Sequence, residues 1–397
     1  MATVKFVKRV GLDPYLPEET IEEILLRLPH ESLITFKLVS KSWYNLIKSD
    51  YFIRKNLDHH HHNNATITTA LILARNSDFP SFIKSPQHII PISWVNHIDD
   101  HDHSLRIHSL KQLNLPPNPS ELLVKGLHCN GIICFPYKYK SKIIFCNPTL
   151  RQCKILDTPV LPKFLFIAHG FGYDKRTNLY KYVMISLSTP SNSNSTFRVQ
   201  ICSLSTTTSS CSSNTWREID IEPYKNVLVS PHHEGVYFKS FYYWIIHGIK
   251  IKGIISFDMC SEKFSIISPP QIEEKIYRPI KLTVWKEELV LFTRNRESLL
   301  CVPSFSLDMW VMVVNNDITS SNNGSNSWRK HLTISLTEWY VFYSPLDFWN
   351  HEELLIKPSN EAMVSYNIRT KKIRRLDISK YWSRLTLYSK SLVSFNN

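Results

Sequence analysis

Between residues 16 and 52 the chain carries three short apolar stripes at helical spacing, in the segment LPEETIEEILLRLPHESLITFKLVSKSWYNLIKSDYF. Ile21, Ile24, Leu25 and Leu28 fall at i, i+3, i+4 and i+7, one face of a helix. Pro17 suits a first helical turn, and Glu18 and Glu19 follow where carboxylates favour the positive end of the helix dipole. Pro29 ends that helix. Leu33 and Phe36 begin a second stripe, and Trp43, Leu46 and Ile47 make a third. The pattern predicts three helices in a module of about forty residues, a size that buries too little surface to be stable without a metal, a disulfide or a partner. No cysteine lies within it, so a protein partner is the expected help.

The same stretch resembles an F-box, the motif that docks substrate receptors onto the Skp–cullin–RING ubiquitin ligase. The residues that carry the resemblance are Leu16-Pro17, Ile24-Leu25, Leu28-Pro29, Leu33, the run Val39-Ser40-Lys41, and Trp43. It implies an adaptor-facing surface made by Leu16, Pro17, Ile21, Ile24, Leu25, Leu28, Pro29, Leu33 and Val39. Phe36, Trp43, Leu46 and Ile47 would instead hold the three helices together. A small helical subdomain packed on the rest of the chain is the competing reading. Against it stands a polar His/Asn run at 58–65, expected as a hinge between a 10–57 module and a second domain at 66–397.

At 397 residues the chain has room for more than one domain, and 12% aromatic content argues against general disorder. No apolar run approaches the roughly twenty residues of a membrane helix. The opening residues are basic but lack the apolar core of a signal peptide, so no membrane association is expected. Eight cysteines are scattered over residues 129–301 without a CxxC pair, as expected of reduced thiols in the cytosol or nucleus. A formal charge of +13 could signal nucleic acid or an acidic partner. The basic residues are dispersed, with one cluster at Lys371, Lys372, Arg374 and Arg375, so nucleic-acid binding is not the expected role.

Beyond residue 66 the periodicity becomes strand-like and repeats. An apolar strand runs into a turn and a second strand succeeds it, with turns opening at Asn147, Ser203, Asp258, Asn315 and Asn367, spaced by 52 to 57 residues. In two of these units the turn has grown into a Ser/Thr/Asn-rich loop, and the second strand begins at Trp216 or Trp328. Pairs of further strands precede three of the hairpins: 236–238 with 242–247, 281–285 with 288–294, and 346–349 with 353–358. Four short strands recurring at this interval are the signature of propeller blades, about six between 66 and 397. The first blade is legible only through 71–75 and 122–135, and the segment 385–395 is a candidate final strand that completes an early blade. The fold class is therefore α+β and multidomain: a small three-helix module, then an all-β propeller.

This second region resembles the F-box-associated, kelch-like domain of a large family of plant proteins. The matching pieces are Gly126-Leu127 with Asn130-Gly131, Asn147-Pro148, the run GFGYD at 170–174 with Tyr180-Lys181, Gly235-Val236-Tyr237 leading to Trp244, Phe257-Asp258, the run 309–312, and Tyr388 to Leu392. Departing from an ordinary kelch pattern, the chain has no Gly-Gly pair and only nine glycines.

Residues able to carry chemistry are few. There is no GxSxG, no phosphate-cradling glycine loop and no HExxH. His351-Glu352-Glu353 lacks the second histidine of a zinc helix, and His128-Cys129 sit on opposite faces of a strand. The histidine run at 59–62 and the Asp/His cluster at 99–103 read as surface rather than as metal sites. Tyr242-Tyr243-Trp244, Trp339-Tyr340 and Phe348-Trp349 read as propeller core. Polar stretches at 186–197, 205–215 and 315–327 are expected as exposed loops, where binding surfaces commonly sit.

The resemblance implies a non-catalytic substrate receptor without cofactor or metal. Its expected partners are the Skp adaptor, through it the cullin and RING subunits, and an unidentified target protein marked for degradation. The alternative is a non-ligase propeller that binds glycan, a stylar ribonuclease or nucleic acid, or acts as an enzyme. Convergent polar residues in the central channel, or affinity that falls steeply with salt, would favour that alternative.

Overall fold

The computed structural model describes residues 16–62, 69–75, 91–94, 109–112, 127–136, 141–159, 164–188, 197–205 and 216–221. It further describes 235–247, 252–270, 278–296, 305–313, 327–335, 343–348, 350–358, 363–376 and 382–395. The polar stretches 189–196, 206–215 and 314–326, the cluster at 99–103, and Trp339, Tyr340 and Trp349 lie outside them. Two compact units divide the chain, Met1–Ile67 and Thr68–Asn397. No helix among the described residues is long and apolar enough to cross a membrane.

Among its described residues the first unit holds four helices where three are expected: α1 (Glu18–Leu26), α2 (His30–Phe36), α3 (Lys41–Lys48) and α4 (Asp50–His62). Pro17 and Pro29 precede α1 and α2, and their carbonyls accept the first helical N–H bonds, from Ile21 and Leu33. Ser40 Oγ caps α3 by accepting from Trp43 N at 3.2 Å. Ser49 Oγ does the same for α4 through Phe52 N at 3.1 Å. The expected hinge at 58–65 therefore begins inside a helix, which the capping serine and the buried Phe52, Ile53 and Asn56 extend through the histidine run to His62. Helix α4 packs against α1 and α3, and α2 against α3. His30 Nε2 and Asn56 Oδ1, both buried, lie 3.1 Å apart and tie α2 to α4.

Among the described residues the second unit is built of six four-stranded antiparallel sheets. Its strands begin with β1 (Thr69–Arg75), β2 (Pro91–Trp94) and β3 (Ser109–Gln112). A sheet of β4 (Leu127–Cys129), β5 (Ile132–Pro136), β6 (Lys142–Asn147) and β7 (Gln152–Asp157) comes second. Next come β8 (Phe164–Asp174), β9 (Leu179–Ser188), β10 (Phe197–Leu204) and β11 (Trp216–Ile219). The fourth sheet has β12 (Val236–Phe238), β13 (Phe241–His247), β14 (Lys252–Asp258) and β15 (Phe264–Ile267). The fifth has β16 (Arg278–Trp285), β17 (Glu288–Arg296), β18 (Phe305–Val313) and β19 (Ser327–Ser335). The sixth has β20 (Tyr343–Phe348), β21 (Glu353–Pro358), β22 (Val364–Asn367) and β23 (Ile373–Arg375), and β24 (Trp382–Ser389) ends the series.

Strand β24 pairs along the whole of β1, so the sheet that opens the unit is completed by its last strand, in the order β24-β1-β2-β3. The expectation for 385–395 is met in that pairing. The expected first blade is corrected: 71–75 and 127–135 belong to two different sheets. One strand of each sheet touches the next in a closed cycle, β4 to β8, β12, β16, β20, β24 and back to β4. A ring of sheets touching through one edge strand apiece is a propeller.

Between neighbouring sheets the side chains alternate by strand periodicity. On β13, Tyr242, Trp244 and Ile246 enter the core shared with β8–β11, while Tyr243 and Ile245 enter the core shared with β16–β17. Trp285, Phe292 and Phe348 fill the next interface. The turn openings expected at Asn147, Ser203, Asp258 and Asn367 fall where the third strand of a sheet gives way to the fourth, and Asn315 lies outside the described residues. Asn147 Oδ1 accepts from Thr149 N at 2.9 Å, Asp258 Oδ1 from Cys260 N at 2.8 Å, and Asn367 Oδ1 from Thr370 N at 2.8 Å. Such Asx turns are why Asn or Asp stands there.

The matched motifs are joints of this ring. Lys181 is almost fully buried and bonds Asp174 at 2.7 Å, Glu262 at 2.8 Å and Met259 O at 2.6 Å, linking the β8–β11 sheet to the β14–β15 turn. Trp244 Nε1 donates to His169 O at 2.9 Å, and a side chain at Gly170 would collide with the Trp244 ring. Asn147 Nδ2 donates to Ser391 O at 3.1 Å and Val393 O at 2.7 Å, clasping the segment that leaves β24. Gly131, at φ +76°, lies so close to Ser391 that no side chain would fit.

Candidate protein-docking surface

The large apolar side chains left exposed among the described residues concentrate in the helical unit. Leu16, Ile24, Leu38, Val39, Tyr44 and Tyr51 belong to it, against only Ile155 and Ile373 in the propeller. Isolated exposed leucines are ordinary, but so many in one small unit mark an interaction surface. Leu38 is 86% exposed and Val39 60%, both in the turn between α2 and α3.

The residues expected to face the adaptor do not form one class. Leu16, Pro17, Ile24, Pro29 and Val39 are exposed, and Ile21 and Leu28 are half-buried. Leu25 and Leu33 have 0% exposure, so in this conformation neither can touch a partner. The reason is local geometry: the α1 stripe is wider than one face, and Leu25 turns inward with Leu26 while Ile24 turns out. Leu25 and Leu33 support the surface from beneath. Of the expected packing residues, Ile47 is fully buried, and Phe36 and Trp43 are half-buried with ring centroids 5.5 Å apart. Leu46 is half-buried as well. Leu38, Tyr44 and Tyr51 were not singled out from the sequence. The signal for Leu38 is its place after the last turn of α2 and two residues before the capping Ser40.

Polar contacts fix this surface. Lys55 on α4 bonds Glu22 at 2.7 Å and Glu23 at 3.0 Å on α1, and Tyr51 Oη donates to Glu22 at 3.0 Å. The Lys55 hydrogen bond, helped by Tyr51, holds the Glu22 carboxyl below its ordinary range against a smaller opposing effect of burial. Burial, then the nearby Lys48 ammonium, lowers the pKa of Lys37, which sits beside Leu38.

The side chains that could suggest chemistry in the propeller are structural. His128 Nε2 accepts from Gly131 N at 3.1 Å, and burial pushes the Cys129 thiol well above its usual range. His351 O accepts from Trp285 Nε1 at 2.8 Å, while Glu353 accepts from Ser365 and from Asn367 Nδ2. Tyr242, Tyr243, Trp244 and Phe348 are buried, as expected of core.

Two family descriptions match the chain: the F-box domain over residues 14–55 and the F-box associated beta propeller domain over 82–392. An F-box/kelch-repeat protein of Arabidopsis thaliana is 29% identical over 267 residues, covering 64% of this chain and 65% of the relative, just under two thirds of its length. An F-box protein of the same plant is 25% identical over 396 residues, covering 93% and 91%. Among solved structures, an oligogalacturonate lyase in complex with manganese aligns over 67% of each chain at 8% identity and a TM-score of 0.41, too distant to bear on function. With its exposed helical surface inside the first match and its ring of sheets spanning the second, the chain belongs to the plant F-box proteins that carry an F-box-associated β-propeller domain.

Proposed function

We propose that the protein is the substrate-recognition subunit of a Skp–cullin–F-box ubiquitin ligase, acting in the cytosol or nucleus. The observation that carries this reading is the concentration of exposed apolar side chains on the helical unit, within the residues that match the F-box. Covering each such side chain with a partner contributes roughly 1.5–3 kcal/mol. Leu16, Ile24, Leu38 and Val39 are the residues that meet the Skp adaptor, and the adaptor brings cullin and RING subunits. The propeller holds a target protein through its loops. This chain supplies proximity rather than an acid, base or nucleophile: tethering raises the effective concentration of target lysines near the ubiquitin-charged enzyme.

The test uses the full chain co-expressed with a Skp adaptor. Leu16→Asp with Leu38→Asp is expected to weaken co-purification at least a hundredfold, from about 3 kcal/mol of lost burial. Both positions are exposed, so helix content and the melting of the propeller should stay as in the parent chain. Undiminished adaptor binding by the double variant would remove the proposal. Leu25→Asp with Leu33→Asp is not an equivalent probe, because two buried carboxylates unfold the helical unit itself.

A further inference from the structure

The β6–β7 hairpin sets two cysteines against each other. Cys146 and Cys153 are directly opposed, one step beyond the turn-closing pair of Asn147 and Gln152. In two sister hairpins the turn-closing pair is hydrogen-bonded: Asp258 N donates to Lys263 O at 3.0 Å, and Asn367 N to Lys372 O at 2.9 Å. By the alternation of an antiparallel ladder, Cys146 and Cys153 then form a non-hydrogen-bonded pair, with Cα atoms about 4.5 Å apart. That separation falls within the span of about 4.4–6.8 Å that a disulfide accepts. No other described cysteine in a strand opposes a cysteine: Cys129 faces Ile132, Cys134 faces Leu127 and Phe145, and Cys202 faces Tyr182 and Trp216.

Their surroundings divide the chemistry. Cys146 is fully buried, and burial followed by the neighbouring Cys153 pushes its thiol well above the usual range. Cys153 is only partly buried, and the hydrogen bond from Cys146 lowers its thiol pKa against the opposing effect of burial. A reachable sulfur with the larger thiolate fraction beside a shielded one is an attacking cysteine beside a resolving one.

We propose that Cys146 and Cys153 are a thiol–disulfide site, oxidised by a low-molecular-weight disulfide of the glutathione class to a cross-strand bridge. Cys153 thiolate attacks one sulfur of the small disulfide, forming a mixed disulfide and expelling one thiolate. Cys146 gives up its proton to that thiolate, attacks Cys153 Sγ and expels the second thiolate, which takes a proton from water. Two electrons pass from the protein thiols to the small disulfide, which leaves as two thiols. The bridge ties β6 to β7 next to Asn147, the residue that clasps Ser391 and Val393.

The test uses the full chain, reduced and then held near neutral pH with oxidised glutathione, acid-quenched and cut with trypsin. Cleavage after Lys142, Arg151 and Lys154 separates peptides 143–151 and 152–154, so the bridge joins them into one species, lighter by two hydrogens, that reductant splits. The expected result is this linked species as the main product, with Cys153→Ser abolishing it and Cys146→Ser stopping at a glutathione adduct on Cys153. A stable adduct on Cys153 of the parent chain, or two cysteines still free to alkylate, overturns the proposal. If Cys146→Ser fails to fold, the parent chain against Cys153→Ser decides alone.

Discussion

Lys181 is the residue around which one joint of the ring is organised, held between the carboxylates of Asp174 and Glu262 and the carbonyl of Met259, with Arg217 bonded to the same Glu262 oxygen. Burial alone would raise the pKa of Asp174, but hydrogen bonds from Lys181, Thr177 and Cys260 hold it far below the ordinary carboxylate range. Glu262 is lowered in the same way, burial being outweighed by Arg217 and Lys181. Nearby, burial brings the His169 imidazole, bonded to the Tyr182 hydroxyl, down to a pKa of about 4. The signs give a two-step acid profile. The unfolded chain binds a proton at His169 near pH 6.5 while the folded chain refuses it until about 4, so stability is lost as pH falls across that window. The carboxylates contribute fully above about pH 5 and lose their contribution below it, as the unfolded chain takes up protons first. We expect denaturant midpoints to show both steps and His169→Gln to diminish only the first, to which His331, also lowered by burial, contributes. Lys181→Met, leaving the buried Asp174 and the half-buried Glu262 carboxylates without their ammonium, should cost about 3–5 kcal/mol at pH 7. Its penalty should shrink in acid, and a penalty unchanged with pH would contradict this account.

At the scale of the hairpin, the turn between the third and fourth strands has a fixed grammar of which the sequence displays half. Asn or Asp opens it, and four residues later the backbone turns left-handed at Arg151, Glu262 and Lys371, with φ between 55° and 60°. No glycine announces these positions, because the Asx hydrogen bonds and the flanking ladder impose the conformation on whatever residue stands there. In two sheets the first hairpin is hidden likewise. Asn130-Gly131 is a recognisable tight turn, but Lys239-Ser240 and Lys286-Glu287 adopt the same positive φ without that signature. Lys371 is exposed, so it isolates the backbone effect. Lys371→Val should destabilise by about 1–2 kcal/mol, while Lys371→Gly should be neutral or stabilising by up to about 1 kcal/mol, measured as shifts in chemical denaturation. Equal losses from both substitutions would mean that the left-handed turn is not what the side chain resists. The helices divide the same way. The three short stripes are plain in sequence, but α4 is obscured by its histidine run, and the inward turn of Leu25 and Leu33 depends on a fourth helix that the stripes alone do not reveal.

For the whole molecule, repetition at 52 to 57 residues made the propeller legible, because each sheet reuses one hairpin plan. Closure was legible only as a leftover strand, since pairing between 69–75 and 382–389 joins segments some three hundred residues apart. The surface proposed to meet a target was not legible, because loops have no periodicity and their shape answers to no local rule. Deleting residues from 382 onward removes β24 and the clasp of Ser391 and Val393 on Asn147 together. The shortened chain should lose its cooperative propeller melt and become protease-sensitive, while keeping the helical signal of residues 16–62. A shortened chain that melted like the parent would show that β24 does not close the ring. This arrangement also orders events on the ribosome. The helical unit precedes the ring along the chain, whereas the ring cannot shut until β24 has left the exit tunnel. On the function proposed above, a product stopped short of β24 would dock the adaptor without holding a target, and so would compete with the intact chain.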